Sequence, residues 1–86
     1  MCLDTQGANI RNISLMSNLK KVIGANVRRY RDQLGLTQEK LAEEAGMHSV
    51  YVSMVELGKV NITANSLEKF ARVLKIPPYK LLVQKK

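Results

Sequence analysis

The chain has 86 residues, of which 45% are apolar, and it carries a formal net charge of +7. This length suits one small domain, and no apolar run approaches the roughly 18 residues that would predict a membrane span. The single cysteine, Cys2, excludes an internal disulfide bond, and the start lacks a signal-peptide pattern, so we predict a cytoplasmic protein.

The positive charge is concentrated in two parts of the chain. Residues 17–35 carry a net charge of +4, residues 36–58 a net charge of −3, and residues 59–86 a net charge of +6. A basic protein is suited to a polyanionic partner, although basicity alone describes many proteins that bind none. Any phosphate-binding surface is therefore expected on the first and last of these segments.

The sequence predicts an N-terminal arm followed by one domain. Residues 1–16 lack a sustained periodic pattern, and we interpret them as a flexible arm, with a strand at residues 9–15 as the alternative. Residues 17–86 form the predicted domain. Its first helix begins at a Ser17 cap and ends at Gly35. The apolar residues at helical spacing in it are Leu19, Val22, Ile23, Val27, Tyr30 and Leu34.

Two short helices around a tight turn are predicted next. Thr37 can cap a helix at residues 38–45, and Gly46 permits the positive φ that a turn needs. Ser49 can then cap a second helix, at residues 49–57, which Gly58 ends. This is the layout of a helix-turn-helix, whose second helix is suited to the major groove of DNA.

The remaining residues predict two more helices. After a polar loop at residues 59–65, Ser66 is expected to cap a fourth helix. Pro77 and Pro78 end that helix, and they can start a short fifth one that reaches Val83. Five short helices without a credible strand predict an all-α fold, a compact bundle around the helix-turn-helix.

The chain resembles the lambda-repressor-like helix-turn-helix family, which includes phage repressors, restriction–modification controller proteins and antitoxins that repress their own operons. The resemblance covers about residues 18–83, and its residues are Arg31, Leu34-Gly35-Leu36-Thr37-Gln38, Leu41-Ala42, Ala45-Gly46, Val52-Ser53 and Glu56-Leu57-Gly58-Lys59. It implies a homodimeric, autoregulatory transcription regulator that binds an inverted-repeat operator in double-stranded DNA. The His48-Ser49-Val50-Tyr51-Val52-Ser53 run is similar to that of the controller proteins.

The resemblance assigns roles around the second motif helix. Gln38 would bond a backbone phosphate and brace this helix, with simple helix capping as the alternative. The residues expected to face the base edges are His48, Ser49, Val50, Ser53 and Met54, with Tyr51 beside them. Tyr51 is equally well interpreted as half-buried core. Because Val50 and Met54 are apolar, we expect A·T-containing sites, with part of the specificity coming from DNA shape.

Further contacts are expected outside this helix. The candidates for the DNA backbone are Arg28, Arg29, Lys20 and Lys21 on the first helix and Lys59, Asn61 and Thr63 in the loop. Some of these are expected to be merely solvated. Arg31 and Glu56 form a partly buried ion pair in related domains, and their role is interpreted as structural.

The expected protein partners are a second copy of the chain and, as a further option, RNA polymerase. The candidates for a dimer interface are Ile76, Tyr79, Leu82 and Val83, which could instead close the domain's own core. The carboxylates of Glu39, Glu43 and Glu44 could contact RNA polymerase, or they could simply complement a helix dipole.

Other classes of function fit less well. No nucleophile–base arrangement, paired carboxylates or phosphate-binding glycine loop is found, so we do not expect an enzyme. His48 has no partner ligands at suitable spacing, so neither a metal site nor a cofactor is expected. The alternative function is that of an antitoxin or other protein-interaction module that binds a partner protein, through residues 1–16 or its C-terminus, and touches DNA secondarily.

Overall fold

The computed structural model describes residues 19–84, and helices account for most of them. The four α-helices are α1, described from residue 19 to residue 33, α2 (Gln38–Ala45), α3 (Ser49–Glu56) and α4 (Ala64–Leu74). No strand occurs within residues 19–84. The predicted all-α class is therefore confirmed, while the predicted arm at residues 1–16 and the Ser17 cap lie outside the described residues.

The prediction of a fifth α-helix is wrong. The chain after α4 forms a four-residue 3-10 helix, Pro78–Leu81. Its hydrogen bonds close over three residues, since the Lys80 amide donates to Pro77 O at 3.0 Å and the Leu82 amide donates to Tyr79 O at 2.9 Å. A segment this short, which starts at a proline without an amide hydrogen, lacks the length that stabilises i→i+4 bonding.

The turn around Gly46 forms as the sequence predicts. Thr37 is the N-cap of α2, and its hydroxyl accepts a hydrogen bond from the Lys40 amide at 3.0 Å. Gly46 ends α2 with φ at 72°, in the left-handed region that favours glycine. These two local signals fix both ends of α2 at the predicted residues.

Two predicted caps are wrong. Ser49 is the first residue of α3, and the N-cap is His48, which makes no side-chain capping bond. Ser66 lies inside α4, whose N-cap is Thr63; the Thr63 hydroxyl accepts a hydrogen bond from the Ser66 amide at 3.1 Å. Because Thr63 stands three residues before Ser66, it takes the capping role and starts the helix earlier than predicted.

The core lies where α1, α2, α3 and α4 meet the C-terminal segment. Its buried members are Ile23, Val27, Leu41, Ala42, Val52, Val55, Phe70, Ala71, Leu74 and Leu81. Leu34 was predicted to belong to the apolar face of the first helix, but it is exposed, because α1 ends at residue 33 and Leu34 lies in the following turn. The predicted end of the second motif helix at Leu57 is also one residue too far, since Leu57 is the exposed C-cap of α3.

A buried amide joins α1 to the C-terminal segment. Asn26 is the only polar or charged residue buried within residues 19–84. Its Nδ2 donates to Leu81 O at 2.8 Å and to Val83 O at 2.9 Å, and its Oδ1 accepts from Arg29 Nη1 at 3.0 Å. The backbone carbonyls at the end of the 3-10 helix and just after it are thus satisfied by a side chain, not by a further helical turn.

Replacing Asn26 should loosen this segment. In Asn26→Ala the carbonyls of Leu81 and Val83 lose their donor, and we expect the free energy of unfolding to fall by about 1–2 kcal/mol. Urea denaturation followed by circular dichroism measures this loss. As a matched control, Asn65→Ala makes the same substitution at an exposed position of α4 and should leave stability within about 0.5 kcal/mol. Equal effects at both positions would contradict the role of Asn26.

Candidate nucleic-acid interface

The outer face of α3 is open to solvent over most of its length. Val52 and Val55 anchor the helix in the core, while Val50 is 70% exposed. The other residues predicted to face bases are exposed or half-exposed; they are His48, Ser49, Ser53 and Met54. The alternation of buried and exposed positions along the helix thus brings these side chains together on one surface.

Tyr51 lies at the border between this surface and the core. It is half-buried, and its ring stacks on that of Phe70 with centroids 6.3 Å apart and an angle of 8° between the planes. Because Phe70 is fully buried in α4, the contact fixes how α3 rests on α4. The structure therefore gives Tyr51 a packing role.

A nearly buried ion pair holds the other end of α3. Arg31 Nε donates to Glu56 Oε2 at 2.6 Å, and Arg31 Nη2 donates to Glu56 Oε1 at 3.1 Å. The side chains are only 12% and 5% exposed. Arg31 also donates to the Leu36 carbonyl at 2.7 Å, and Gln38 Nε2 donates to Glu56 Oε1 at 3.0 Å. This network joins α1, the start of α2 and the end of α3.

The hydrogen bond from Arg31 to Glu56 and the negative charge of Glu56 raise the pKa of the Arg31 guanidinium, although burial acts in the opposite direction. A raised pKa in the folded state stabilises the protein at every pH below the unfolded value. The contribution of Arg31 is lost only as the pH rises through the folded pKa, which is raised from the ordinary arginine value. Arg31 therefore stays charged at any physiological pH.

Gly24 brings α1 and α3 into direct backbone contact. A Cβ atom placed on Gly24 would overlap Val55 O and lie 2.8 Å from Glu56 O. Only glycine permits this approach. The sequence analysis missed Gly24, although an isolated glycine inside a helical pattern is a signal of close packing.

The sequence model of the helix-turn-helix family HTH_3 matches residues 27–81, more than half of the chain. The chain belongs to this helix-turn-helix family. The match includes α2, α3 and α4, so the predicted resemblance is confirmed, and the domain is a DNA-binding helix-turn-helix of the transcription-regulator class.

Several relatives of this helix-turn-helix protein are similar over most of the chain. The control protein C.SmaI of Serratia marcescens is 37% identical over 67 residues, which cover 78% of this chain and 80% of that protein. A hypothetical transcription factor of Neisseria meningitidis is 38% identical over 66 residues, or 77% of this chain, and the match spans 62% of the Neisseria protein.

Solved structures share the fold. The hypothetical transcription factor NHTF from Neisseria has a TM-score of 0.76 and 37% identity, and the match covers 78% of this chain and 75% of that one. The restriction-modification controller protein C.AhdI from Aeromonas hydrophila has a TM-score of 0.70 and 35% identity, with coverage of 72% and 94% respectively.

The basic side chains that this helix-turn-helix protein is predicted to place on the DNA backbone differ in their surroundings. Lys20, Lys21 and Lys59 are exposed, and Lys21 is next to Gly58 at the end of α3. Arg28 is exposed near Asp32, with its Nε 3.9 Å from the carboxylate. Arg29 instead bonds Asn26 and lies 4.7 Å from the Tyr30 ring centroid, which directs it toward the C-terminal segment.

The loop residues Asn61 and Thr63 also differ in their surroundings. Asn61 is exposed. Thr63, predicted to contact the DNA backbone, caps α4 with its hydroxyl oxygen and donates to Ser66 Oγ at 3.1 Å. Its hydroxyl is therefore occupied by the helix.

Three carboxylates form an exposed acidic face on α2 of this helix-turn-helix protein. Glu39, Glu43 and Glu44 are exposed, and Lys40 Nζ lies 3.8 Å and 3.7 Å from the carboxylates of Glu43 and Glu44.

Residues 19–84 contain no group of three side chains that could hold a metal ion. In the same range, none of the helices has the length and apolar character needed to cross a bilayer.

Proposed function

We propose that this protein is a cytoplasmic, homodimeric transcription regulator that binds an inverted-repeat operator and regulates its own gene. The observation that carries the proposal is the position of α3. The Arg31–Glu56 ion pair holds its last residue, and buried Val52 and Val55 anchor its inner face, while its outer face stays open. Insertion into the major groove requires such a rigid, exposed helix.

The subclass proposed is the controller of a restriction–modification system. C.SmaI and C.BamHI are named control proteins, and C.AhdI is described as a restriction-modification controller protein. C.BamHI of Bacillus amyloliquefaciens is 33% identical over 69 residues, and the match covers 85% of its length. The exposed carboxylates of Glu39, Glu43 and Glu44 are the candidate contact with RNA polymerase.

The C-terminal segment is the proposed dimer interface. Tyr79, Leu82 and Val83 are 61%, 41% and 54% exposed, whereas Ile76 is half-buried against the core. An open cavity of about 320 Å³ lies beside them, lined by Arg29, Tyr30, Tyr79, Lys80 and Val83. It is suited to receive a side chain of a second copy. A dimer is needed because one short helix contacts too few base pairs and phosphates for useful affinity.

The dimer is tested by placing charge on this surface. The double variant Tyr79→Asp/Val83→Asp should sediment as a monomer at concentrations where the unchanged protein is a dimer, because two carboxylates would have to be buried. Asn65→Asp is the control, since it adds a carboxylate to an exposed position on the first turn of α4. A double variant that remains a dimer with native circular dichroism would contradict the interface.

The operator is tested by hydroxyl-radical footprinting on DNA from upstream of the gene. Two protected regions with centres about 10 base pairs apart, or a multiple of this spacing, are expected from a two-fold dimer. Binding without two related half-sites would contradict the proposed inverted repeat. The alternative, an antitoxin that binds its partner through residues 1–16 or the C-terminus, stays a prediction; residues 1–16 lie outside the described residues.

A further inference from the structure

The surface of α3 has an unusual chemical character for a helix that enters a DNA groove. Residues Ser49–Glu56 include no lysine and no arginine. Their one charged side chain, Glu56, is occupied by Arg31 and Gln38. Guanine is read mainly by arginine or lysine, whose donors meet its O6 and N7 atoms. The helix therefore lacks the groups that usually recognise guanine.

Apolar side chains take the place of these groups. Val50, the second residue of α3, is the most exposed large apolar residue within residues 19–84. Met54 is half-exposed one turn later on the same face, and its flexible thioether can adapt to a neighbouring group. The two Cα atoms are about 6 Å apart along the helix, which is close to the length of two base-pair steps, about 6.8 Å.

We propose that Val50 and Met54 form a methyl-reading surface that recognises the C5-methyl group of pyrimidines in the major groove. The C5-methyl is the apolar group that thymine presents there. Cytosine methylated at C5 carries the same group on the same ring atom. The surface should therefore prefer thymine and 5-methylcytosine over uracil and unmodified cytosine. This inference rests on the proposed function, because it assumes that α3 enters the groove.

The preference follows from the desolvation of Val50. Groove insertion removes water from this exposed side chain whatever base it meets. A C5-methyl group fills the space beside it and buries its own apolar surface, whereas uracil leaves a gap. One buried methyl group corresponds to about a fourfold change in Kd, and removal from both half-sites of a two-fold dimer to about a 16-fold change.

The first stage of the test selects binding sites from a pool of randomised DNA duplexes, so that it does not depend on where the natural operator lies. Failure to enrich any site would overturn the proposed function, and this inference with it. With the selected duplex, each thymine is replaced in turn by deoxyuridine, which removes only the methyl group and keeps the base pair. We expect Kd to rise about fourfold at one or two thymines in each half-site.

A variant then separates contact with Val50 from DNA shape. Val50→Ser removes both methyl groups of this exposed side chain and leaves one hydroxyl group, so residue 50 keeps no methyl that could contact a pyrimidine C5-methyl. The effect of deoxyuridine should shrink from about fourfold to less than twofold in this variant. Leu57→Ala is the matched control, because it removes another exposed apolar side chain, at the end of α3, and should keep the fourfold effect.

Methylated cytosine provides the second readout. At a sensitive position, a C·G pair should weaken binding, and 5-methylcytosine in the same place should recover about fourfold. Specific binding that is insensitive to every deoxyuridine would overturn the methyl-reading surface while leaving the proposed function intact. A deoxyuridine effect of equal size in Val50→Ser would also overturn it, because DNA shape would then be the cause.

Discussion

Glu56→Ala should lower the free energy of unfolding by about 3–5 kcal/mol, the largest effect that we expect from a single substitution. The substitution removes the carboxylate and leaves the guanidinium of Arg31, which is only 12% exposed, without its main partner. Gln38 Nε2 loses its acceptor as well. Because Glu56 is the last residue of α3, this helix should lose its orientation, and DNA affinity should fall together with stability. Urea denaturation monitored by far-ultraviolet circular dichroism measures the first effect.

Two further variants test whether the loss of stability comes from the buried ion pair. Glu43→Ala removes a carboxylate from an exposed pair, 3.8 Å from Lys40 Nζ, and should change stability by less than about 1 kcal/mol. The apolar pair Arg31→Met/Glu56→Leu should recover much of the stability lost by Glu56→Ala, because no unpaired charge remains buried. If Glu56→Ala and Glu43→Ala were equally mild, the ion pair could not be what holds α3 in place.

Gly24→Ala is expected to destabilise the protein by about 1–3 kcal/mol, although alanine is the better helix former by about 1 kcal/mol. The added methyl group would overlap the carbonyl oxygen of Val55 and lie 2.8 Å from that of Glu56. Both atoms belong to the backbone and cannot rotate away, so α1 and α3 must separate. Thermal unfolding measures the loss of stability.

The same displacement should weaken DNA binding. Because α3 carries the candidate base contacts, a shift of its last turn against α1 misaligns them even in the folded protein. Affinity should therefore be measured well below the unfolding temperature. Ala25→Ser is the matched control, because it also adds one heavy atom, at the exposed neighbouring position, and it should preserve affinity. Normal stability in Gly24→Ala would show that the two helices can separate without cost, contrary to this account.

Local signals predicted the elements that local chemistry determines. The bounds of α2 were correct because Thr37 and Gly46 act within one turn of the helix. Ser66 was a mistaken cap because two hydroxyl residues stand three positions apart, and the sequence does not show which of them the chain uses. The 3-10 helix after Pro77 was missed because its carbonyls are satisfied by Asn26, more than fifty residues away in sequence.

For the candidate site, the sequence predicted which residues of α3 are buried, but not how every side chain around it is directed. Helical periodicity alone separates Val52 and Val55, which are buried, from the exposed Val50. The direction of Arg29 could not be predicted, because it depends on Asn26 and on how the C-terminal segment packs. The roles of the individual side chains toward DNA remain predictions.

We propose that the open face of α3 binds one DNA sequence in preference to others. Fluorescence-anisotropy titration tests it most directly, with purified protein, labelled DNA from upstream of the gene, a scrambled duplex of equal length and several salt concentrations. Binding to the upstream DNA should be at least about 1,000-fold tighter than binding to the scrambled duplex, and the affinity for both duplexes should fall as salt rises. Equal, weak and steeply salt-dependent binding to both would contradict it, because only the basic charge of the protein would then attract DNA.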